Sequence, residues 1–88
     1  MKVLFEASFM RDLKKVKDKN LLGQVQDVIV QVKSAASARD VADLKKMQGY
    51  DTFYRIRIGD YRIGLDISDN EIIFVRFLHR KDIYRYFP

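Results

Sequence analysis

The sequence is poor in the residues that carry several common kinds of protein chemistry. Its 88 residues include no cysteine, no tryptophan, one histidine, one proline and four glycines. Without cysteine there is no disulfide framework and no thiolate zinc site, which fits a cytoplasmic protein. No apolar run approaches the length of a membrane-spanning helix, about 18 residues. There is also no glycine-rich phosphate loop and no cluster of metal ligands, so we expect neither a cofactor nor a metal.

What the chain does have is positive charge, and its arginines are concentrated in the second half. The net charge is +5, and 48% of the residues are hydrophobic. Residues 1–44 hold six lysines and two arginines, whereas residues 45–88 hold three lysines and six arginines. Arginine is the better residue for two-point contact with phosphate. The length predicts one domain over residues 1–88, and the charge favours a polyanionic partner.

The apolar pattern predicts an α+β fold of two layers in the order β-α-α-β-β-β. Residues 2–7 form the first strand in this prediction, and Ser8 caps a short helix. A break at residues 17–20 precedes a longer helix with an apolar stripe of Leu21, Leu22, Val25, Val28, Ile29 and Val32. Residues 38–50 are predicted to be a turn and a loop anchored by Val41, Leu44 and Met47. The two helices are expected to pack as a hairpin on one face of a mainly antiparallel sheet.

A β-hairpin at residues 53–66 places two arginines side by side. A two-residue Gly59-Asp60 turn between strands 53–58 and 61–66 fixes the register. One face then carries Tyr54, Ile56, Ile58, Tyr61, Ile63 and Leu65, and the other carries Arg55, Arg57 and Arg62. Arg57 lies directly opposite Arg62, and such a like-charge pair costs stability. An anion bound between the two side chains would reverse the sign of that interaction.

The last predicted strand, residues 71–78, is apolar on both faces, which indicates a central strand. We expect a three-residue loop at 68–70 with Asn70 in the left-handed region, pairing Ile63 with Val75 and Arg62 with Arg76. The alternative two-residue loop would bury Arg76 without a partner under the helices, which is unfavourable. The preferred register adds Arg76 to the arginines of the hairpin. It also leaves apolar side chains on the outer face, namely Ile72, Phe74 and Leu78.

Four short segments, taken in order, resemble the RelE/ParE superfamily of bacterial toxins. They are Leu44-Lys45-Lys46-Met47, Tyr54-Arg55-Ile56-Arg57, Tyr61-Arg62-Ile63 and His79-Arg80-Lys81-Asp82-Ile83-Tyr84. The similarity spans nearly the whole chain and is best to the RelE branch, which cleaves mRNA on the ribosome. It implies a ribosome-dependent, metal-independent mRNA endonuclease that inhibits translation. It also implies three partners, a small acidic antitoxin, the ribosome and mRNA.

The resemblance assigns roles to the basic strand residues. Arg55 and Arg57 occupy the two basic positions of the family's strand, and Arg62 matches the arginine that contacts the scissile phosphate. Because arginine does not readily lose its proton, Arg55 and Arg57 are expected to act by charge and positioning. Apart from the resemblance, Lys45 and Lys46 belong to a basic shell that adds sequence-independent affinity for RNA. Arg76, on the arginine side of the sheet, and Arg80 are also expected to bind RNA.

The C-terminal segment supplies the remaining candidates. Lys81 or, with a one-residue shift, Arg80 matches the functional basic position, and Tyr84 matches a tyrosine that stacks on a base or assists proton transfer. His79 is a candidate for proton transfer because its ordinary pKa lies near neutrality. The alternative for Tyr84 is simple packing into the sheet, with Tyr86 and Phe87 as better candidates for the core.

Two other functions are compatible with the resemblance. One is a ParE-like inhibitor of DNA gyrase, which needs no arginine cluster on the sheet. The other is an inactive relic that binds only its antitoxin. A further alternative is that the arginines form a solvated surface with ion pairs to Asp60, Asp66 and Glu71.

Overall fold

The computed structural model describes residues 1–88 and contains one five-stranded sheet with three α-helices. The elements are β1 (Lys2–Phe5), α1 (Ala7–Lys14), α2 (Lys19–Ser34), a 3₁₀ turn (Ala38–Asp40), β2 (Leu44–Lys46), β3 (Phe53–Ile58), β4 (Tyr61–Ser68), β5 (Glu71–His79) and α3 (Arg80–Tyr86). The strand order is β1-β5-β4-β3-β2. Only β1 and β5 pair in parallel, and the other neighbours are antiparallel. None of the helices has the length and apolar character needed to cross a membrane.

The predicted α+β class is confirmed, β5 lies between β1 and β4 as an inner strand, and two elements are added. The first is β2, three residues that pair with β3 at the edge of the sheet. The second is α3, seven residues that follow β5 directly. As a result the sheet is covered on both sides, by α1 and α2 on one and by α3 on the other.

The hairpin of β3 and β4 has the predicted turn and register. Gly59 adopts a positive φ of 54° at the turn, and Ile58 pairs with Tyr61, Arg57 with Arg62 and Arg55 with Gly64. The apolar face of this hairpin joins the helices in the main core, whose buried members are Phe9, Val25, Val32, Ala35, Val41, Ile56, Ile58, Ile63, Leu65, Ile72, Phe74 and Phe77. The arginine side chains therefore lie on the opposite side of the sheet, because successive strand residues alternate between faces.

The predicted register between β4 and β5 is wrong. The connection is a two-residue turn, with Ser68 opposite Glu71 and a left-handed φ of 50° at Asp69 rather than at Asn70. An irregularity at Gly64/Leu65 then shifts the ladder by one residue. Beyond it Ile63 pairs with Phe77 and Arg62 with Leu78. One extra residue in β5 therefore forms a β-bulge. The alternation of apolar residues in the sequence cannot reveal such a feature.

The new register also corrects the expected apolar outer face of β5. Ile72 and Phe74 are 1% and 0% exposed in the main core, on the helix side of the sheet. Only Leu78 contributes to the opposite side, where it packs against the outer cluster formed by Met47, Ile83 and Phe87. The face that was expected to be open is thus closed in part by α3.

Arg76 is tied to α1 instead of joining the hairpin arginines. Its Nε and Nη2 atoms donate to the two carboxylate oxygens of Asp12 at 2.8 and 3.2 Å. The backbone N–H of Phe77 donates to the same carboxylate at 2.9 Å. Because β1 pairs only with residues 71–74, the backbone groups along the rest of that edge of β5 have no strand partner. Side chains of α1 form hydrogen bonds with them instead. Arg76 therefore has the partner without which its burial would be unfavourable. That partner could not be identified from the sequence.

Ser8 belongs to the same edge and is not the cap of α1. The N-cap position is Glu6, and the Ser8 hydroxyl donates to the carbonyl oxygen of Val75 at 2.6 Å. For α2 the cap is Asp18, whose side chain accepts from the N–H groups of Asn20 and Leu21. Both helices are therefore fixed at their N-terminal ends by polar contacts as well as by the apolar stripe.

Candidate functional site

The strongest cluster of unpaired charge lies on the outer side of β3 and β4. We call the side chains of Arg55, Arg57 and Arg62 the arginine face. Arg57 is directly opposite Arg62, and Arg55 is directly opposite Lys45 of β2. Like charges at directly opposite positions are unfavourable, so the surface contains two destabilising pairs across three strands.

No carboxylate neutralises this surface. The protein has two ion pairs within 4.0 Å, Arg76 with Asp12 and Arg80 with Asp60, and neither includes a member of the arginine face. The second pair is weak, because its atoms are 3.7 Å apart and both side chains are largely exposed. The alternative of a surface with ion pairs to Asp60, Asp66 and Glu71 therefore finds no support among the three arginines.

Arg62 is the centre of the arginine face. Its Nη1 atom donates to the carbonyl oxygens of Gly59 and Tyr61 at 2.8 and 2.9 Å, which fixes the guanidinium beside the turn. Partial burial lowers the pKa of Arg62, and the positive charges of Arg55 and Arg57 lower it further. A guanidinium still keeps its proton at neutral pH. The site is thus a fixed positive charge in a strongly positive surrounding, which suits a transient anion.

Tyr84 brings a hydroxyl group to the arginines. The Nε atom of Arg55 donates to the Tyr84 hydroxyl oxygen at 3.1 Å, and the tyrosine side chain is 64% exposed. Because the oxygen acts as the acceptor, the hydroxyl hydrogen remains free to be donated elsewhere. The alternative in which Tyr84 packs into the sheet is wrong. Of the two residues preferred for the core, Phe87 is buried and Tyr86 is 54% exposed.

The position of Tyr84 depends on a glycine. A Cβ atom at Gly64 would lie 2.8 Å from the ring of Phe87, so the ring packs where other strand residues carry a side chain. Phe87 and Ile83 are 2% and 0% exposed and attach α3 to the outer side of the sheet. The predicted register placed Gly64 opposite Arg55 without indicating a role for it. A glycine inside a strand is a sequence signal of close approach, and it could have been used here.

Of the two basic residues at the start of α3, Arg80 is the one associated with the arginine face. Its positive charge is one of those that lower the pKa of Arg62. It precedes Tyr84 by four residues, the spacing that places side chains on one side of a helix. The Lys81 side chain is exposed, and its backbone N–H donates to His79.

The structure does not bring His79 to the arginines. It pairs with Tyr61, and its ring lies edge-on to the Tyr61 ring with a centroid distance of 5.4 Å. Both rings lie on the side of the sheet that α1 and α2 cover. Its Nδ1 atom accepts from the Lys81 N–H at 3.2 Å and so caps α3. His79 also borders a cleft of about 520 Å³ beside Asp12, Lys17 and Asp18. The geometry gives His79 a structural task, and Arg76 is likewise engaged elsewhere.

The lysines of β2 lie beside the site. Lys45 faces Arg55 across the strands, and Lys46 faces Tyr54. Both line a groove of about 280 Å³ together with Met47, Gln48, Arg55 and Tyr84. No group of three His, Asp or Glu side chains is arranged to hold a metal ion. What the arrangement can do chemically is bind and stabilise an anion next to a hydroxyl donor.

Comparison with known proteins identifies the class to which this chain belongs. A family model described as the ParE toxin of type II toxin–antitoxin systems matches residues 3–84. The chain is 45% identical over 89 residues to the toxin RelE3 of Methanocaldococcus jannaschii, covering 100% of both proteins. It is 30% identical to the putative toxin RelE1 of the same organism, over 83% of this chain and 81% of that one. The chain belongs to the RelE/ParE superfamily of type II toxins and is RelE-like.

Solved structures agree with this assignment. The fold matches a RelB–RelE antitoxin–toxin complex from Methanococcus jannaschii with a TM-score of 0.82 and 41% identity, over 97% of this chain and 99% of that one. An archaeal RelE–RelB complex from Pyrococcus horikoshii matches with a TM-score of 0.71 over 90% of this chain and 93% of that one. At 20% identity the second match shows the fold alone.

Proposed function

We propose that this protein is a ribosome-dependent, metal-independent endonuclease that cuts mRNA and inhibits translation. The observation that carries the proposal is the fixed position of Arg62, directly opposite Arg57 and on the same face as Arg55, with no carboxylate to neutralise them. A folded protein gains nothing from such a surface, because the like-charge pairs cost stability. The surface does suit the extra negative charge that develops on a phosphate during cleavage.

The proposed reaction begins when the 2′-oxygen of a nucleotide attacks the adjacent phosphorus. The bond from phosphorus to the 5′-oxygen breaks, and a 2′,3′-cyclic phosphate forms. Arg62 and Arg57 stabilise the five-coordinate phosphate by charge, which is commonly the main source of rate enhancement in such catalysis. The 2′-hydroxyl proton leaves to solvent, and the leaving 5′-oxygen takes a proton from the Tyr84 hydroxyl. Arg55 holds the resulting phenolate until solvent reprotonates it.

Dependence on the ribosome is proposed from the family resemblance, and what the arginine face lacks supports it. It has no carboxylate, and His79 lies on the other side of the sheet, so no side chain there is suited to remove a proton at neutral pH. Free RNA would be a poor substrate under these conditions, and a rigid complex that aligns the 2′-oxygen for attack would supply much of the rate. Exposed lysines are available for docking on ribosomal RNA, namely Lys14, Lys15, Lys17, Lys19, Lys45 and Lys46.

Primer extension on translating ribosomes tests the proposal. Wild-type protein should produce cuts within the codon exposed in the A site. Arg62→Ala should cut roughly 10²–10³-fold more slowly, the loss typical of removing one charge-stabilising donor. Arg11→Ala is the matched control, since it removes an exposed arginine from α1, away from the arginine face. If folded wild-type protein cuts no ribosome-bound mRNA, the proposal is wrong.

We also propose that a small acidic antitoxin binds this toxin. Two of the similar structures are complexes of RelE with RelB. In this chain the net charge of +5 and the unneutralised arginine face offer a surface for acidic side chains. Co-expression with a neighbouring open reading frame should yield a complex that Arg57→Ala weakens and that high salt loosens. A protein that is harmless to its host without any such partner would contradict this part of the proposal.

Inhibition of DNA gyrase is the second candidate, because the matching family model is that of ParE toxins. A supercoiling assay with purified gyrase separates the two functions. Inhibition by wild type that persists in Arg62→Ala would favour the ParE-like function, since that activity does not require the arginine face.

A further inference from the structure

The groove beside the arginine face has the features of a pocket for a single nucleotide. Its lining combines two lysines, an arginine, a primary amide and an exposed aromatic ring, and the residues are Lys45, Lys46, Met47, Gln48, Arg55 and Tyr84. The volume of about 280 Å³ is near the small end of ligand pockets, roughly 300 Å³. Nothing in the proposed cleavage chemistry uses the lysines or the amide.

Two features of this groove differ in chemistry. The first is Lys45 directly opposite Arg55, a second like-charge pair that forms no ion pair with a carboxylate. A phosphate group between these two side chains would remove their repulsion. The second is the exposed Tyr84 ring, whose hydroxyl accepts from Arg55 Nε at 3.1 Å, and aromatic faces are the usual platforms for unpaired bases of single-stranded RNA.

Gln48 lines the same groove and lies on a segment that is held in place. It follows Met47, which is 7% exposed and anchors the groove in the outer cluster. A turn closed by the Tyr50 N–H and the Met47 carbonyl, 3.3 Å apart, holds the segment, and Gly49 supplies a positive φ of 87°. The Gln48 amide is exposed and forms no hydrogen bond to another residue. Its donor and acceptor are therefore free for a ligand.

We propose that this groove binds the nucleotide next to the scissile phosphate and that Gln48 determines which base is preferred there. Lys45 and Arg55 hold its phosphate, the base stacks on Tyr84, and the Gln48 amide forms two hydrogen bonds to the base edge. A glutamine amide pairs in this way with adenine, which presents a donor beside an acceptor. The protein should thus favour adenine at one position of the codon. This inference rests on the proposed function and adds a specificity residue to it.

Two readouts test the pocket, and only one of them requires cleavage. The first is binding of short single-stranded oligonucleotides that carry a 2′-O-methyl group at the cleavage position and vary in one base. The second is the distribution of cuts on translating ribosomes over messages that vary in the same base. Gln48→Ala should reduce the preference for adenine by roughly five- to a hundredfold, the range of one bidentate base contact. The loss should fall on adenine, and cutting at the other three bases should change much less.

Lys45→Ala supplies an independent check. The variant should weaken binding of all four oligonucleotides alike, and the slope of log affinity against log salt should fall by about 0.7, as for one lost phosphate contact. Lys33→Ala is the matched control, because it removes an exposed lysine of α2 that is not among the lysines proposed to contact RNA.

The outcomes separate the pocket from the nuclease. Selective binding without cleavage would refute the nuclease and retain the pocket. Cleavage with unchanged base preference in Gln48→Ala and unchanged salt dependence in Lys45→Ala would refute the pocket and retain the nuclease. A wild-type protein that neither binds nor cuts RNA would overturn both.

Discussion

Arg57→Ala should make the protein more stable and less active at the same time. Arg57 is exposed, forms no ion pair and lies directly opposite Arg62. Its removal therefore relieves repulsion without breaking a salt bridge. Arg62→Ala is a less clean test of stability, because it also removes two hydrogen bonds to backbone carbonyls.

The size of the effect follows from the geometry. A directly opposed cross-strand pair changes stability by about 0.2–1 kcal/mol, and solvent screening at this exposed site favours the middle of that range, about 0.5 kcal/mol. For a domain of this size that corresponds to a rise in Tm of roughly 2–4 °C. The gain should fade in about 1 M salt, where the Debye length falls to about 3 Å. Thermal unfolding followed by circular dichroism at low and high salt measures both values, with Arg11→Ala as the control.

The paired measurement is cleavage on ribosomes, which Arg57→Ala should reduce by roughly 10²–10³-fold. A variant that is less stable than wild type at low salt would refute the electrostatic reasoning. So would a stability gain that is equally large in high salt. A stabilised variant with full cleavage activity would show that the arginine pair is not part of the catalytic surface.

Three further substitutions test how the site is supported. Asp12→Ala should reduce the free energy of unfolding, measured by urea denaturation, by about 3 kcal/mol. The reason is that a backbone N–H and the partly buried guanidinium of Arg76 lose their hydrogen-bond acceptor. A loss below about 1 kcal/mol would contradict this. Gly64→Ala should cost about 1–3 kcal/mol of stability and lower cleavage, since the added methyl group collides with an aromatic ring. Gly23→Ala is the control, because a methyl group there meets no other atom and should stabilise α2 by about 0.5–1 kcal/mol. Equal effects of the two substitutions would argue against the packing of the ring on Gly64. His79→Ala should lose about 1 kcal/mol of stability from the lost helix cap, together with part of the cleavage rate. His79→Asn should restore both, because asparagine is a good N-cap residue. A His79→Asn protein that stays inactive would show that the imidazole itself is necessary.

The parts of the fold that depend on local chemistry could be predicted from the sequence. The Gly59-Asp60 turn fixes the register of β3 and β4, and that register places Arg57 opposite Arg62. The stripe of α2 and the burial of Phe9 follow from helical periodicity in the same way.

The parts that depend on tertiary contacts could not. A strand of three residues, such as β2, shows no periodicity, and α3 with seven residues is too short to be helical without the contacts of Ile83 and Phe87. Arg76 lies opposite Gly64 but binds Asp12 of α1 instead of joining the arginine face, and Asp12 lies 64 residues away in the sequence.

For the site, the sequence identified the residue types and the pair of opposed arginines. It could not choose between Arg80 and Lys81, because that choice depends on where α3 docks. It also suggested a proton-transfer role for His79 from the side chain alone, whereas the structure uses its Nδ1 atom as a helix cap. The sequence does not show which way the side chain of a single polar residue points, and that orientation decides its role.

The pairing of β1 with β5 bears on the order in which the parts of the protein fold. The first strand of the sheet binds beside the last one, and the hydrogen bond from Ser8 to Val75 spans 67 residues. Long-range pairings of this kind form late and slowly. The edge of β5 is therefore completed only when residues 2–5 and 71–74 meet, and α3, which carries Tyr84, follows β5 directly. The arginine face and the hydroxyl beside it are thus assembled late in folding, after the two ends of the sheet have paired.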